Sequence, residues 1–237
     1  MTALPADAAG TPRPDSPGRV MLVDDHGLLA ASLAALLRGD GFDVAVEEPE
    51  APEVLLERAR GHRPDVVLLD LDLGREDLAA VDLIPGLREQ GARVVMLSGS
   101  TDRVALAECL EAGAEGILSK ATPFADVVEA IGRAVAGRTV TPPAERDRML
   151  DHLRAERRAR REALAPFESL TPKEAEVLAS LAGGLGAEAI AEEGFVSITT
   201  VRSQIRGILT KLGVSSQLAA VALAARAGWT PPPPARP

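Results

Sequence analysis

The feature that most constrains this chain is a regular alternation over residues 19–137. Apolar runs at Arg19–Val23, Phe42–Val46, Val66–Asp70, Arg93–Ser98 and Gly116–Ser119 take turns with helical patterns at about 27–38, 52–60, 78–90, 102–112 and 124–136. Residues 66–69 and 94–97 are apolar at every position, which predicts strands covered on both faces. Five strands spaced by five helices predict an α/β domain with a parallel, doubly wound sheet, because each parallel connection needs a crossover and the helix supplies it. In such sheets the chemistry collects at the carboxyl ends of the strands.

That rim carries polar residues where an apolar pattern should simply stop. Asp24 and Asp25 follow the first strand, Asp70 ends the third, Ser98 ends the fourth and Lys120 follows the fifth. Three carboxylates brought together repel one another, and a hard divalent cation such as Mg²⁺ relieves the repulsion. A lysine beside them suits a phosphoryl oxygen. This is the equipment for phosphorylating an aspartate, and Asp70, at the end of PDVVLLD, is the expected nucleophile.

After Pro142 and Pro143 the pattern changes. Residues 144–164 predict one helix whose arginines fall where a heptad seam wants leucine, so a solvated linker helix is expected, with a dimer seam as the alternative. Residues 168–228 predict a compact helical block. Thr171 and Glu174 form a capping box around Pro172, and Gly183, Gly184 and Gly186 end that first helix. A short helix at about 187–193 follows, then Gly194, expected to supply a positive φ for a tight turn, and a third helix at about 198–212 capped by Ser197. A fourth helix, capped by Ser215 or Ser216, ends near Gly228, where Trp229 is expected to pack. Helix, tight turn, helix is a helix-turn-helix.

Charge sharpens this reading. Residues 1–143 hold 24 acids against 13 bases, whereas 168–237 hold six of each, and the whole chain carries −9. A uniformly basic nucleic-acid coat is excluded, but a local basic surface is not. The third helix has no acid between Ser197 and Gly213. Val201, Ile205, Ile208, Leu209 and Leu212 form its apolar stripe, and Thr199, Thr200, Arg202, Ser203, Arg206 and Thr210 lie off it. Arginine and small hydroxyls on one face suit a DNA major groove, with the helix N-terminal amides and Lys211 available to phosphates. An aromatic content of 2%, with no tyrosine, argues against stacking of single-stranded bases. The lone cysteine, Cys109, excludes a disulfide framework and reads as core, while His26, His62 and His152 look too scattered for a metal site. No apolar run is long enough to span a membrane and residues 1–18 lack a signal's apolar core, so a cytoplasmic location is expected.

Residues 19–137 resemble a response-regulator receiver domain, whose fold is flavodoxin-like. The resemblance rests on MLVDDH, PDVVLLD, the serine of VVMLSGS and the lysine of GILSK, with steps of 45 residues from Asp25 to Asp70, 28 from Asp70 to Ser98 and 22 from Ser98 to Lys120. It implies Asp70 as phospho-acceptor, Asp24, Asp25, Asp70 and the Asp72 carbonyl as Mg²⁺ ligands, and Ser98 and Lys120 on the phosphoryl group. It also implies a histidine kinase as phosphate donor. LTPKEAEVLASLAGG, AIAEEGFVSITTVRSQIRGILTKLGV and AAVALA resemble the LuxR-type DNA-binding domain, which implies that Thr200, Arg202, Ser203 and Arg206 face DNA and Lys211 its backbone. Together the two look like the NarL/FixJ subfamily of two-component response regulators, which implies a homodimer on a double-stranded operator. The expected division is a disordered segment 1–18, a receiver 19–140, a linker helix 141–167, a DNA-binding domain 168–229 and a proline-rich tail 230–237. Two departures keep other readings open. Ile117 stands where the family's aromatic switch residue usually sits, and DLDLGREDLAA lacks the usual Met-Pro-Gly, which leaves room for a regulator independent of phosphorylation. Asp72, two residues after Asp70, leaves room for an aspartyl-phosphate phosphatase.

Overall fold

The computed structural model describes residues 17–232. Most of the expected disordered segment 1–18 and the last five residues of the proline-rich tail lie outside the described residues. The described residues form two compact units that meet between Leu153 and Arg154, inside one long helix.

The first unit places β1 (Arg19–Val23), β2 (Asp43–Glu47), β3 (Val66–Asp70), β4 (Arg93–Ser98) and β5 (Gly116–Ser119) in one sheet of order β2-β1-β3-β4-β5. All four pairings are parallel. The order reverses direction between β1 and β3, the topological switch point of a doubly wound sheet. The second strand lies one residue later than the pattern at 42–46 suggested, because Phe42 is used to fill the core beneath α1 and not to pair.

Period-two alternation sorts the side chains between two cores. Met21, Val23, Val67, Leu69, Val94 and Met96 face α2 (Pro52–His62), α3 (Ala80–Glu89) and α4 (Arg103–Ala112), whose Leu55, Leu83, Ile84, Leu87, Cys109 and Leu110 close that side. Val20, Leu22, Val66, Leu68, Val95 and Leu97 face α1 (Gly27–Gly39) and α5 (Phe124–Val135), which contribute Ala30, Ala34, Leu37, Val127 and Ile131. Covering both faces is what makes β3 and β4 uninterrupted apolar runs. Each fully buried leucine or isoleucine in these layers contributes about 1.5–3 kcal/mol.

The exposed edge of β5 is covered by the chain after α5. The Val140 amide donates to the Glu115 carbonyl at 3.1 Å, and the Ile117 amide donates to Thr141 Oγ1 at 3.0 Å. This blunts an edge that would otherwise invite another strand. Helix α6 (Pro143–Leu164) then begins against α4. Arg146 donates from both terminal nitrogens, to the Ala114 carbonyl at 2.7 Å and the Leu110 carbonyl at 2.6 Å, satisfying carbonyls at the end of α4. Met149 and Leu150 pack on the same core.

The second unit is helical. A 3-10 turn (Ala165–Ser169) leads into α7 (Pro172–Ala182), α8 (Ala187–Glu193), α9 (Ile198–Leu212) and α10 (Gln217–Ala227). The capping box forms, with the Thr171 amide donating to Glu174 Oε2 at 2.8 Å and the Glu174 amide donating to Thr171 Oγ1 at 3.3 Å. Ser197 and Ser216 cap α9 and α10 by accepting from the Thr200 and Ala219 amides. Val177, Leu178, Ile190, Val201, Ile205, Ile208 and Ala220 share one core with Phe167, on which Trp229 stacks at a centroid distance of 5.4 Å. The turn between α8 and α9 departs from expectation. Gly194 has φ −82°, and the left-handed residue is Phe195 at φ +50°. Gly194 instead completes α8 by bonding to the Ile190 carbonyl. Among the described residues no single helix is long and apolar enough to cross a membrane.

Gly116 is the tightest point of the covered edge. A Cβ there would lie 2.5 Å from both the Thr141 amide nitrogen and Val140 Cβ. Gly116→Ala should therefore lower the stability of the receiver unit by about 1–3 kcal/mol, read as a fall in its thermal unfolding midpoint; an unchanged midpoint would show that the segment after α5 does not hold the edge.

Candidate functional site

The sheet register assembles the acidic site. Val23 pairs with Leu69, so Asp24 and Asp70 emerge side by side from β1 and β3. Asp70 pairs with Leu97, and Ser98 with Ser119, so Ser98 and Lys120 follow on the same rim. The Lys120 amide donates to the Ser98 carbonyl at 3.0 Å and fixes the lysine's start. Its ammonium then reaches across to donate to Asp70 Oδ2 at 2.6 Å and to Asp24 Oδ1 at 3.0 Å. Asp24 and Asp70 are each 2% exposed, so these pairs form out of bulk water, where charge interactions are strong. Asp25 is partly exposed at the mouth.

One ammonium faces three carboxylates. Burial and the neighbouring Asp24 charge hold the Asp70 carboxyl above the ordinary carboxylate range, against the hydrogen bond from Lys120. Burial pulls the Lys120 ammonium down, but the bonds and charges of Asp70 and Asp24 outweigh it and leave it above its ordinary value. Oxygens of Asp24, Asp25 and Asp70 and a His26 nitrogen lie within 4.8 Å of one another. Asp24 Oδ2 is buried with no hydrogen-bond partner. An excess of carboxylate oxygen with one oxygen unpaired fits a hard divalent cation.

The loop after β3 runs close beside these carboxylates. The Asp72 amide donates to Asp70 Oδ1 at 3.4 Å, while the Asp72 carboxylate is turned to accept from the Gly74 amide at 3.1 Å. Gly74 takes φ +65°, and a Cβ there would meet Asp25 Oδ2 at 2.8 Å, so only glycine lets the loop pass this close. Ser98 is buried, and its Oγ accepts from the Ser100 amide at 2.9 Å.

The second candidate surface is α9. Val201, Ile205, Ile208 and Leu212 are buried, and Thr199, Thr200, Arg202, Ser203, Arg206 and Thr210 are exposed. Arg202 makes an exposed 3.2 Å pair with Glu188 of α8, a weak tie in high dielectric. Lys211 is held more firmly, donating to Glu174 Oε2 at 2.6 Å. Burial pushes the Glu174 carboxyl up, but bonds from Lys211 and from the Thr171 amide and hydroxyl outweigh it and hold it below the usual carboxylate range.

Residues 20–132 match the model of the response regulator receiver domain, and residues 168–224 match that of the bacterial regulatory proteins of the luxR family. Over 208 residues the chain is 32% identical to the nitrate/nitrite response regulator protein homolog of Haemophilus influenzae, spanning 86% of this chain and 95% of that one. It is 33% identical to the probable transcriptional regulatory protein NarL of Mycobacterium tuberculosis, spanning 88% of this chain and 94% of that one. The solved response regulator ChrA of a heme-sensing two-component system aligns at 27% identity with a TM-score of 0.43, over 90% of this chain and 98% of its own.

The chain belongs to the NarL-type response regulators. It is a transcriptional regulator with a receiver domain and a LuxR-type DNA-binding domain. In this regulator His26, which the sequence groups with two distant histidines, joins the acidic site: its Nδ1 lies 2.5 Å from Asp25 Oδ1 and 3.3 Å from Lys120 Nζ. The available signal was its place directly after the aspartate pair. His62 stands apart, its ring nitrogen 3.2 Å from the Val20 carbonyl. Cys109 is core: burial, with the Glu108 charge beside it, pushes its thiol up to about 11, which makes it a poor nucleophile. Ile117, at the family's aromatic position, is partly buried and tied through its amide to Thr141.

Glu174 has a lower pKa folded than unfolded, so its contribution is complete at neutral pH and lost as pH falls through the folded value. Glu174→Gln should lower the stability of the helical unit at neutral pH. Variant and parent should converge below about pH 4. Thermal unfolding by circular dichroism across that range checks this; parallel curves at all pH values would remove the carboxylate from the account.

Proposed function

We propose that this regulator is switched by phosphorylation of Asp70 and that α9 reads its operator. The observation that carries the first half is the buried Lys120–Asp70 pair at 2.6 Å at the switch point of the sheet. Asp70 Oδ2 is engaged by Lys120, whereas Oδ1 has only the long contact from the Asp72 amide, so Oδ1 is the freer nucleophile. It attacks the phosphorus of a phosphohistidine on a partner kinase. An O–P bond forms, the P–N bond breaks, and the released imidazole nitrogen takes a proton from water. Lys120 then stands where a phosphoryl oxygen needs a positive partner, and the Ser98 hydroxyl supplies a hydrogen bond from β4.

Asp24, Asp25, Asp70 and the Asp72 carbonyl are the residues that would hold Mg²⁺. When bound, the ion neutralises charge on the phosphoryl oxygens. The unpaired Asp24 oxygen and the uncompensated carboxylate charge support that assignment. The receiver's reorganised rim changes contacts between copies or between units, and two copies engage a two-half-site operator as a homodimer. A regulator of this kind works with the chromosome, in the cytoplasm. On α9, Thr200, Arg202, Ser203 and Arg206 meet base edges and the adjoining backbone, supported by their exposure opposite the buried stripe. Lys211 reaches a phosphate by exchanging Glu174 for it.

Incubation with a small phosphodonor and Mg²⁺ should give one acid-labile phosphate per chain in the parent and none in Asp70→Asn. Phosphate still gained by the variant overturns the assignment of Asp70. Operator affinity that is equal with and without phosphodonor points instead to a regulator independent of phosphorylation. Arg202→Ala should lose about 1–3 kcal/mol for the operator if it reads a base; an equal loss on random duplex, measured by fluorescence anisotropy, makes it a phosphate contact.

A further inference from the structure

The second half of α6 has a property that neither domain's function absorbs. Every residue from Arg154 to Ala163 is exposed, although this stretch belongs to the DNA-binding unit. A helix that is polar all round is not held by packing of an apolar stripe. Ala155, Ala159 and Ala163 give a partner helix nothing large to interlock with, so a coiled-coil seam gains no support in this half.

What the segment carries is charge. Residues 154–164 hold five arginines against Glu156 and Glu162, while residues 165–237 hold six acids and six bases. The net positive charge of the DNA-binding unit therefore resides in this helix alone. At about 100° per residue, Arg154, Arg157, Arg158 and Arg161 fall within an arc of about 100°, with Glu156 on the opposite side and Glu162 at one edge of the arc. The stripe runs about 10 Å along the axis. Each strand of duplex DNA carries a charge about every 3.4 Å, so a stripe of this length matches about three phosphates. All five bases are arginine, whose planar fork pairs with phosphate in two bonds. The helix runs directly into the 3-10 turn whose Phe167 packs in the same core as Val201, Ile205 and Ile208 of α9. Stripe and α9 thus belong to one compact unit, joined through the continuous chain at Phe167.

We infer that the arginine stripe of α6 binds the phosphate backbone of duplex DNA beside the half-site that α9 reads. It supplies sequence-independent, salt-sensitive affinity to a domain whose remaining charge is balanced. The inference rests on α9 being the DNA-facing helix.

The test is the full-length double variant Arg158→Gln, Arg161→Gln, which keeps helix-forming side chains. Binding to a random-sequence duplex and to a duplex carrying a selected site is measured over a range of salt. Each lost phosphate contact should reduce the slope of log K against log salt by about 0.9, so a reduction of about 1.8 is expected on both duplexes, with their affinity ratio unchanged. An unchanged slope overturns the inference, as does a loss confined to the selected site or a change in self-association with DNA binding intact. Arg202→Ala is run in parallel. If it leaves the selected site fully bound while the double variant still flattens both slopes, the reading of α9 fails, and with it the placement of the stripe beside α9, while the stripe stands as a backbone contact. If it weakens only the selected site while the double variant changes neither slope, the stripe fails and the reading of α9 stands.

Discussion

One ammonium among three carboxylates is the interaction on which the receiver's architecture turns. Lys120 bridges the buried carboxylates of Asp70 and Asp24, and the surplus of negative charge remains. Such an arrangement survives only because the sheet holds its parts. Lys120 follows an edge strand, and the two aspartates follow central strands. The edge must therefore be pinned, and Val140, Thr141 and the absence of a side chain at Gly116 pin it. The loop carrying Asp72 must lie close without adding bulk, and Gly74 allows it.

The helical unit solves a different electrostatic problem. The outward face of α9 carries no acid, yet Lys211 at the far end of that helix is drawn inward by Glu174. The same carboxylate also closes the capping box of α7, so one side chain ties the start of the first helix of the unit to the last turn of the third. Arg202, by contrast, is held only by an exposed pair with Glu188, which competes weakly with a stronger anion. Along the chain, acids gather before Pro143 and arginines gather in α6. The two signs of charge thus collect in different units, acids in the first and arginines at the head of the second.

Much of this was legible from residues alone. The continuous apolar runs at Val66–Leu69 and Val94–Leu97 marked strands with two covered faces, and Asp24, Asp25, Asp70 and Lys120 broke that pattern where a parallel sheet collects its chemistry. Thr171, Ser197 and the Ser215–Ser216 pair announced their helices, because capping is a local event between a hydroxyl and an amide a few residues on, and the structure uses Ser216 of that pair. What could not be read was anything decided by a distant neighbour. Phe42 looks like the start of a strand and serves as core. Gly194 looks like the left-handed residue of the turn, but completing α8 takes it, and Phe195 is left to bear the strain. His26 looks like one of three stray histidines until the fold curls it back onto Asp25.

The sequence by itself determined the order of elements, the faces they bury and the residues that arrive at the rim, because periodicity and capping depend on near neighbours along the chain. Only the tertiary structure decided which oxygens Lys120 bonds, which Asp24 oxygen is left without a partner, that Glu174 captures Lys211, and that half of α6 stands exposed on every side. Those outcomes depend on distances between segments dozens of residues apart, and competition for a buried partner is settled in space, where burial sets the strength of each charge.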